Sequence, residues 1–136
     1  MLVYGTCNPP GESDSHQGVY LRKTDISSLV HSGALLDLPV KIEHMGQPVG
    51  RIISAWQHDN RLDCVFKIDD NSIDSVCAQE FVKSRRCPEL SLSYAVTMQN
   101  SSEGGLLSGG SKDMIEVSIV CAGARDNCFI HGFSKK

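Results

Sequence analysis

The stretch Glu89-Leu-Ser-Leu-Ser-Tyr-Ala-Val-Thr-Met98 alternates apolar and small residues at almost every step. That is the period of a β-strand, whose successive side chains point to opposite faces. Leu90, Leu92, Tyr94 and Val96 share the face expected to enter a core, and Ser91, Ser93, Ala95 and Thr97 share the small, polar one. Downstream, 100–112 is rich in Gly and Ser and reads as a flexible connection. Met114 to Cys121 follows as a second strand and Phe129-Ile130 as one more. Two alternating strands joined in this way invite antiparallel pairing, which brings residues on matching faces to within about 5 Å. With Ile115, Val117, Ile119 and Cys121 as its apolar face, the second strand leaves Glu116 on the polar side, a candidate neighbour of Ser91.

Upstream, Ser72 is the expected N-cap of a helix carrying Val76, Cys77, Glu80 and Phe81, which ends in the basic run Lys83, Arg85, Arg86 before Pro88. Val49 to Ile68 reads as a β-hairpin turning at His58-Asp59-Asn60, with Leu62, Cys64, Phe66 and Ile68 at a strict period of two. Leu38 to His44 predicts a strand that stops at His44, because Gly46, Gln47 and Pro48 do not readily continue it. A short helix is expected where Asp25 precedes Ile26, Leu29 and Val30, with Gly33 as its stop signal. Gly18 to Leu21 reads as a strand, and an opening strand at Val3-Tyr4 ends at Asn8-Pro9-Pro10-Gly11. The fold class is therefore mostly β (α+β): about seven strands in a β-barrel or strongly bent sheet, with a few peripheral helices.

A chain of 136 residues is expected to form a single domain, 1–136, able to bury a core without staples. Hydrophobic residues at 40% and charged residues at 21% exclude global disorder. The net charge of −3, with basic residues scattered, excludes a nucleic-acid footprint. No run of about 18 apolar residues marks a membrane span, and the first ten residues have no signal-peptide pattern. Six cysteines at irregular spacing (Cys7, Cys64, Cys77, Cys87, Cys121, Cys128) are read as reduced, mostly buried thiols. Cys128 with His131 is the one close metal-ligand pair, and it lacks an obvious second pair, so no metal is expected. Gly104-Gly105 to Gly109-Gly110 has no phosphate-cradle signature after it. No cofactor is expected.

A serine hydroxyl becomes a nucleophile only with a base in reach, usually an imidazole oriented by a third group. His44 and Glu116 are candidates for those roles beside Ser91, with Ser93 as a rival serine and Asp113 and Glu43 as rival acids. Gly123-Ala124-Arg125 offers backbone N–H groups and a cation for a developing oxyanion, although turn chemistry beside Asp126-Asn127 also explains Arg125. The other histidines, His16, His31, His58 and His131, lack supporting partners.

Three blocks sharpen this reading by resemblance. Leu38-Pro-Val-Lys-Ile-Glu-His44, followed by Pro48-Val-Gly-Arg51, resembles the segment of the herpesvirus assemblins, the capsid-maturation proteases, that carries their first catalytic His. Leu90-Ser-Leu-Ser-Tyr94 is similar to their nucleophile strand, and Glu116-Val-Ser-Ile-Val-Cys-Ala-Gly-Ala-Arg125 to the strand with the third catalytic residue and the oxyanion loop. The blocks stand in the family's order. The resemblance implies Ser91 as nucleophile, Ser93 as an assisting hydroxyl and His44 as base. Glu116 stands where herpesvirus enzymes carry a second His, as a Glu does in the similar strand of tailed-phage prohead proteases. Ala124 and Arg125 take the oxyanion positions of the herpesvirus arginine pair. It further implies a seven-stranded barrel and a capsid scaffold protein as substrate, cut beside small residues. The chain is then expected to be the front part of a protease-scaffold precursor acting inside assembling capsids in the host nucleus. A homodimer is possible on the same ground, although the family's dimer helices follow beyond the matching strand. The competing expectations are a catalytically silent β-barrel that binds a scaffold or partner through a strand edge, and a metal-dependent domain using the scattered Cys and His.

Overall fold

Leu62, Cys64, Phe66 and Ile68 are all at most 1% exposed, so the strict alternation of this stretch does face a core. In the computed structural model, which describes residues 1–8, 21–59, 61–96, 99–100, 106–107, 112–121 and 128–134, they belong to β4 (Arg61–Ile68). β4 pairs antiparallel with β3 (Met45–His58) in the hairpin expected from the turn at Asp59. β3 begins four residues earlier than the sequence suggests and runs through Gly46-Gln47-Pro48. Its register with β2 (Pro39–Ile42) slips between Val40 and Ile42, and its pairing with β4 starts only at Gly50. Pro48 therefore lies where no ladder requires its missing N–H.

The main sheet has seven strands in the order β5-β8-β2-β3-β4-β1-β9, with β1 (Leu2–Asn8), β5 (Glu89–Val96), β8 (Lys112–Val120) and β9 (Ile130–Ser134). Every pairing is antiparallel except β2 with β8, which is parallel. The sheet curls into a half-barrel. At one end its two edges are drawn together by Leu90 N–H to Cys128 C=O and Ile130 N–H to Pro88 C=O, each 2.9 Å. Gly5 sits at this closure: a Cβ there would lie 2.7 Å from both Leu90 Cδ1 and the Phe129 carbonyl oxygen. Any side chain at that position would force the edges apart.

Two helices cover the sheet. α1 (Lys23–Ser32) buries Ile26, and α2 (Ile73–Lys83) buries Ala78 and Val82; both pack on β3 and β4. Ser72 caps α2 as expected, its Oγ accepting from Ser75 N–H at 3.1 Å while Ser75 Oγ accepts from Ser72 N–H. Asp25, which precedes Ile26 as expected, stands at the third helical position and accepts from the N–H of the N-cap, Arg22, at 2.8 Å. Gly33 ends α1 at φ 74°, as its stop signal predicts.

The expected strand at Gly18 to Leu21 falls mostly outside the described residues, and Leu21 is buried without strand geometry. At the start of the expected connection 100–112, Gln99–Asn100 (β6) pairs with Leu106–Leu107 (β7) in a small separate sheet. The architecture is the mostly-β one expected, with a seven-stranded curled sheet and peripheral helices. Among the described residues no helix is long and apolar enough to cross a membrane.

Candidate active site

The strand carrying His44 does not run to His44. β2 ends at Ile42, and Glu43 and His44 form a two-residue turn closed by the Ile42–Met45 pair, with φ of 51° and 60°. A hairpin turn with both central φ values positive favours Asn-Gly, so holding Glu-His there costs on the order of 1 kcal/mol or more per residue. Three hydrogen bonds to β8 and its end offset that cost. Glu43 N–H donates to the Ile119 carbonyl at 3.0 Å, His44 N–H to Ser118 Oγ at 2.9 Å, and Cys121 N–H to Glu43 Oε1 at 2.7 Å. The parallel pairing of β2 with β8, with Lys41 beside Ser118 and Ile42 beside Ile119, brings this turn to β8.

β8 also pairs with β5, with Ser91 opposite Ser118 and Ser93 opposite Glu116. The residue that directly faces Glu116 is thus Ser93; Ser91 lies one pleat repeat away on the same face, about 7 Å along the strand. The register slips between Ser93 and Tyr94, so Ile115 has no partner and is 53% exposed. This corrects the expected division of β8 into faces. Val117 and Ile119 are buried in the core, but Glu116, Ser118 and Val120 are buried too, whereas Cys121 is exposed. The face of β8 with Glu116 is covered by the Glu43-His44 turn and by Ser93.

Glu116 is 5% exposed, and an ionised carboxylate at that depth needs several donors. It has three. Ser93 Oγ donates to Oε1 at 2.9 Å and Ser118 Oγ to Oε2 at 2.6 Å, while His44 Nδ1 lies 2.5 Å from Oε1. Ser93 Oγ is also 3.2 Å from His44 Nδ1. A carboxylate accepts and does not donate, so the proton in the short contact sits on Nδ1. In the neutral ring Nε2 then carries the lone pair. Among the described residues no hydrogen bond engages Nε2, and the His44 side chain is 42% exposed.

The structure therefore gathers His44, Glu116 and Ser93 into one cluster. Ser91 is half-buried, and its hydroxyl makes no hydrogen bond to another described residue, His44 included. Ala124 and Arg125 lie outside the described residues. Of the rival acids, Glu43 is engaged with Cys121 N–H, and Asp113 is exposed at the far end of β8 opposite Ala95. Sequence reasoning missed Ser118. The signal was its place two residues after Glu116, on the same strand face.

All six cysteines are free thiols, four of them buried, with Cys77 and Cys121 exposed. His131 Nε2 lies 2.7 Å from Thr6 Oγ1, in a network with Asp63 on β1 and β4. Among the described residues, one trio of metal-capable groups lies close together, Glu43, Cys87 and Cys121, with ligand atoms within 4.8 Å of one another. Its sulfurs are only 3.0 Å apart, against about 3.8 Å for two thiolates on one tetrahedral zinc ion. The pair is not shaped for zinc as it stands.

No protein-family model matches this sequence, and no curated protein matches it. Solved structures do. The protease of Kaposi's sarcoma-associated herpesvirus, in complex with a hexapeptide phosphonate inhibitor, superposes with a TM-score of 0.61 at 19% identity, over 98% of this chain and 65% of that one. The same viral protease with an allosteric inhibitor matches at 0.58 and 18% identity, over 95% of this chain and 73% of that one. With a dimer disruptor bound it matches at 0.57 and 17%, over 95% and 74%. The chain thus spans about two-thirds to three-quarters of the length of the viral protease. With nearly all of its own length inside the match, this chain has a fold that resembles the herpesvirus protease.

Proposed function

We propose that this chain is a serine endopeptidase of the capsid-maturation type, with Ser91 as nucleophile, His44 as general base and Glu116 as the acid that orients it. One observation carries the reading: Glu116 holds His44 by Nδ1, and Ser91 lies on the same strand face as Ser93, which touches both of them. Ser93 is the poorer nucleophile, because its proton is donated to the carboxylate and its neighbour on His44 is the occupied nitrogen. Its role is to help fix Glu116 and the ring.

In the reaction, Nε2 takes the Ser91 proton as Oγ bonds to the substrate carbonyl carbon. The imidazolium is stabilised by the buried Glu116 carboxylate and returns the proton to the leaving amine. The acyl-enzyme is then hydrolysed by water activated in the same way. Ala124 N–H and the Arg125 side chain meet the oxyanion. Ser91 and His44 come within hydrogen-bond reach when substrate is bound, since such contacts are often long in the free enzyme.

The substrate class is an extended peptide, in keeping with the hexapeptide phosphonate held by the similar viral protease. Within that class we assign a capsid scaffold protein and the chain's own precursor, cut inside assembling capsids in the host nucleus. The dimer disruptor bound by the viral protease supports a homodimer here as well. The unbonded Ser91 hydroxyl favours a second reading, a catalytically silent barrel that binds a scaffold protein.

Reaction with a fluorophosphonate probe, located by mass spectrometry, separates the two. Labelling of Ser91 that is lost in Ser91→Ala and His44→Ala establishes the protease. No labelling of a demonstrably folded chain, with scaffold peptide present or absent, favours the binding module or a protease awaiting its dimer partner.

A further inference from the structure

Cys87 and Cys121 lie outside the catalytic cluster, and nothing in the proposed reaction uses them. Their sulfurs are 3.0 Å apart across 34 residues of sequence, closer than two unbonded thiols normally pack. Cys87 stands two residues before β5, and Cys121 directly follows β8, so the pair spans the open end of the β5–β8 ladder. We propose that Cys87 and Cys121 are a thiol–disulfide site, oxidised by a peroxide to an intramolecular disulfide and reopened by a dithiol.

The two sulfurs differ in access. Cys121 is exposed, whereas Cys87 is 3% exposed. Peroxide therefore reaches Cys121 first, and its thiolate attacks one peroxide oxygen to give the sulfenic acid and release hydroxide. Cys87 sulfur then attacks the Cys121 sulfur. The S–O bond breaks, hydroxide leaves, and it takes up the Cys87 proton as water. The balance is two thiols and one hydrogen peroxide giving one disulfide and two waters. The sulfurs must approach by about 1 Å to reach bonding distance. Both lie at the ends of strands, where small shifts disturb no ladder.

The other cysteines compare poorly. Cys7, Cys64 and Cys128 are 0–3% exposed and sealed in the core, and Cys77 on α2 is exposed, with no sulfur partner among the described residues. The pair also touches the turn that presents His44, since Cys121 N–H donates to Glu43 Oε1 at 2.7 Å and the Glu43 carboxylate lies within 4.8 Å of both sulfurs.

The test reads the bond itself, so its result stands apart from whether the chain is a protease. The native-sequence protein is treated with a modest excess of hydrogen peroxide, unfolded in iodoacetamide, digested and mapped. The expected result is a Cys87–Cys121 linked peptide in most molecules, two hydrogens lighter than its parts, absent after dithiothreitol and absent in Cys121→Ser. Free, alkylated Cys87 and Cys121 in chains whose Cys77 has been oxidised would overturn the proposal. So would linkage of either cysteine to the remaining thiols as often as to each other.

Discussion

His44 Nδ1 lies 2.5 Å from Glu116 Oε1, joining a tight turn to β8, the strand next to the sheet's edge, across 72 residues of sequence. The contact orients the ring through Nδ1, and the hydroxyls of Ser93 and Ser118 hold the same carboxylate. Removing the charge alone tests that relationship. Glu116→Gln has one acceptor oxygen where three donors converge, and it cannot stabilise an imidazolium. The turnover number for a scaffold-derived peptide is expected to fall about 10²- to 10⁴-fold with little change in KM. Loss confined to KM would show that Glu116 shapes the substrate site instead.

The base is tested by removing it. In His44→Ala the rate of probe labelling at Ser91 is expected to fall about 10³-fold or more while the chain stays folded. An undiminished rate would remove His44 as the base.

Ser93→Ala leaves Glu116 with His44 and Ser118, two of its three donors. The expectation is a fall of roughly ten- to a hundredfold in labelling rate, the scale of one hydrogen bond to a charged group, with the label still on Ser91. Transfer of the label to Ser93 in Ser91→Ala, at an undiminished rate, would exchange the two serines in the mechanism.

Much of this arrangement was legible in the residues. The alternation of Leu62 to Ile68 and of Leu90 to Leu92, and the cap at Ser72, gave correct elements because each depends on neighbours in sequence. The antiparallel partnership of β5 and β8 was also readable, but its register was not. Neither strand's own pattern reveals which residues face each other, Ser93 with Glu116, or the slip beside Tyr94 that leaves Ile115 unpaired in the ladder. The Glu43-His44 turn was invisible for a related reason. Local preference argues against positive φ for both residues, and the bonds that hold them there come from β8, which lies more than 70 residues away. That departure from local rules occurs at the base of the proposed mechanism, where strain is held for function.

A second strained residue has no such duty. α2 closes with Arg85 at φ 60°, with Arg85 N–H to the Val82 carbonyl at 3.2 Å and Arg86 N–H to the Phe81 carbonyl at 3.1 Å. This pair of bonds is the helix ending in which glycine is preferred at the left-handed position. Arg85→Gly is expected to stabilise the chain by about 0.5–1 kcal/mol, read as a higher urea midpoint with unchanged slope. A lower midpoint would mean that the arginine side chain contributes more than the turn costs.

The Cys87 thiol gives a pH signature outside the site. Burial, and then its hydrogen bond with Cys121, push its pKa up from 9.0 to about 12, so the native chain holds that proton more tightly than the unfolded chain does. At pH 8 its thiolate share is therefore far below that of an ordinary thiol. Alkylation of Cys87 in the reduced, folded protein should therefore be slow at pH 8 and climb close to tenfold per pH unit, with exposed Cys77 as the reference for access. The sign for stability follows from the same shift. The contribution is intact below pH 9 and is lost as pH rises toward about 12, because the unfolded chain gives up this proton first. Denaturation midpoints measured over that range should fall in the native sequence and fall less in Cys87→Ala. Equal slopes in the two proteins would place the alkaline loss in other groups and leave Cys87 an ordinary buried thiol.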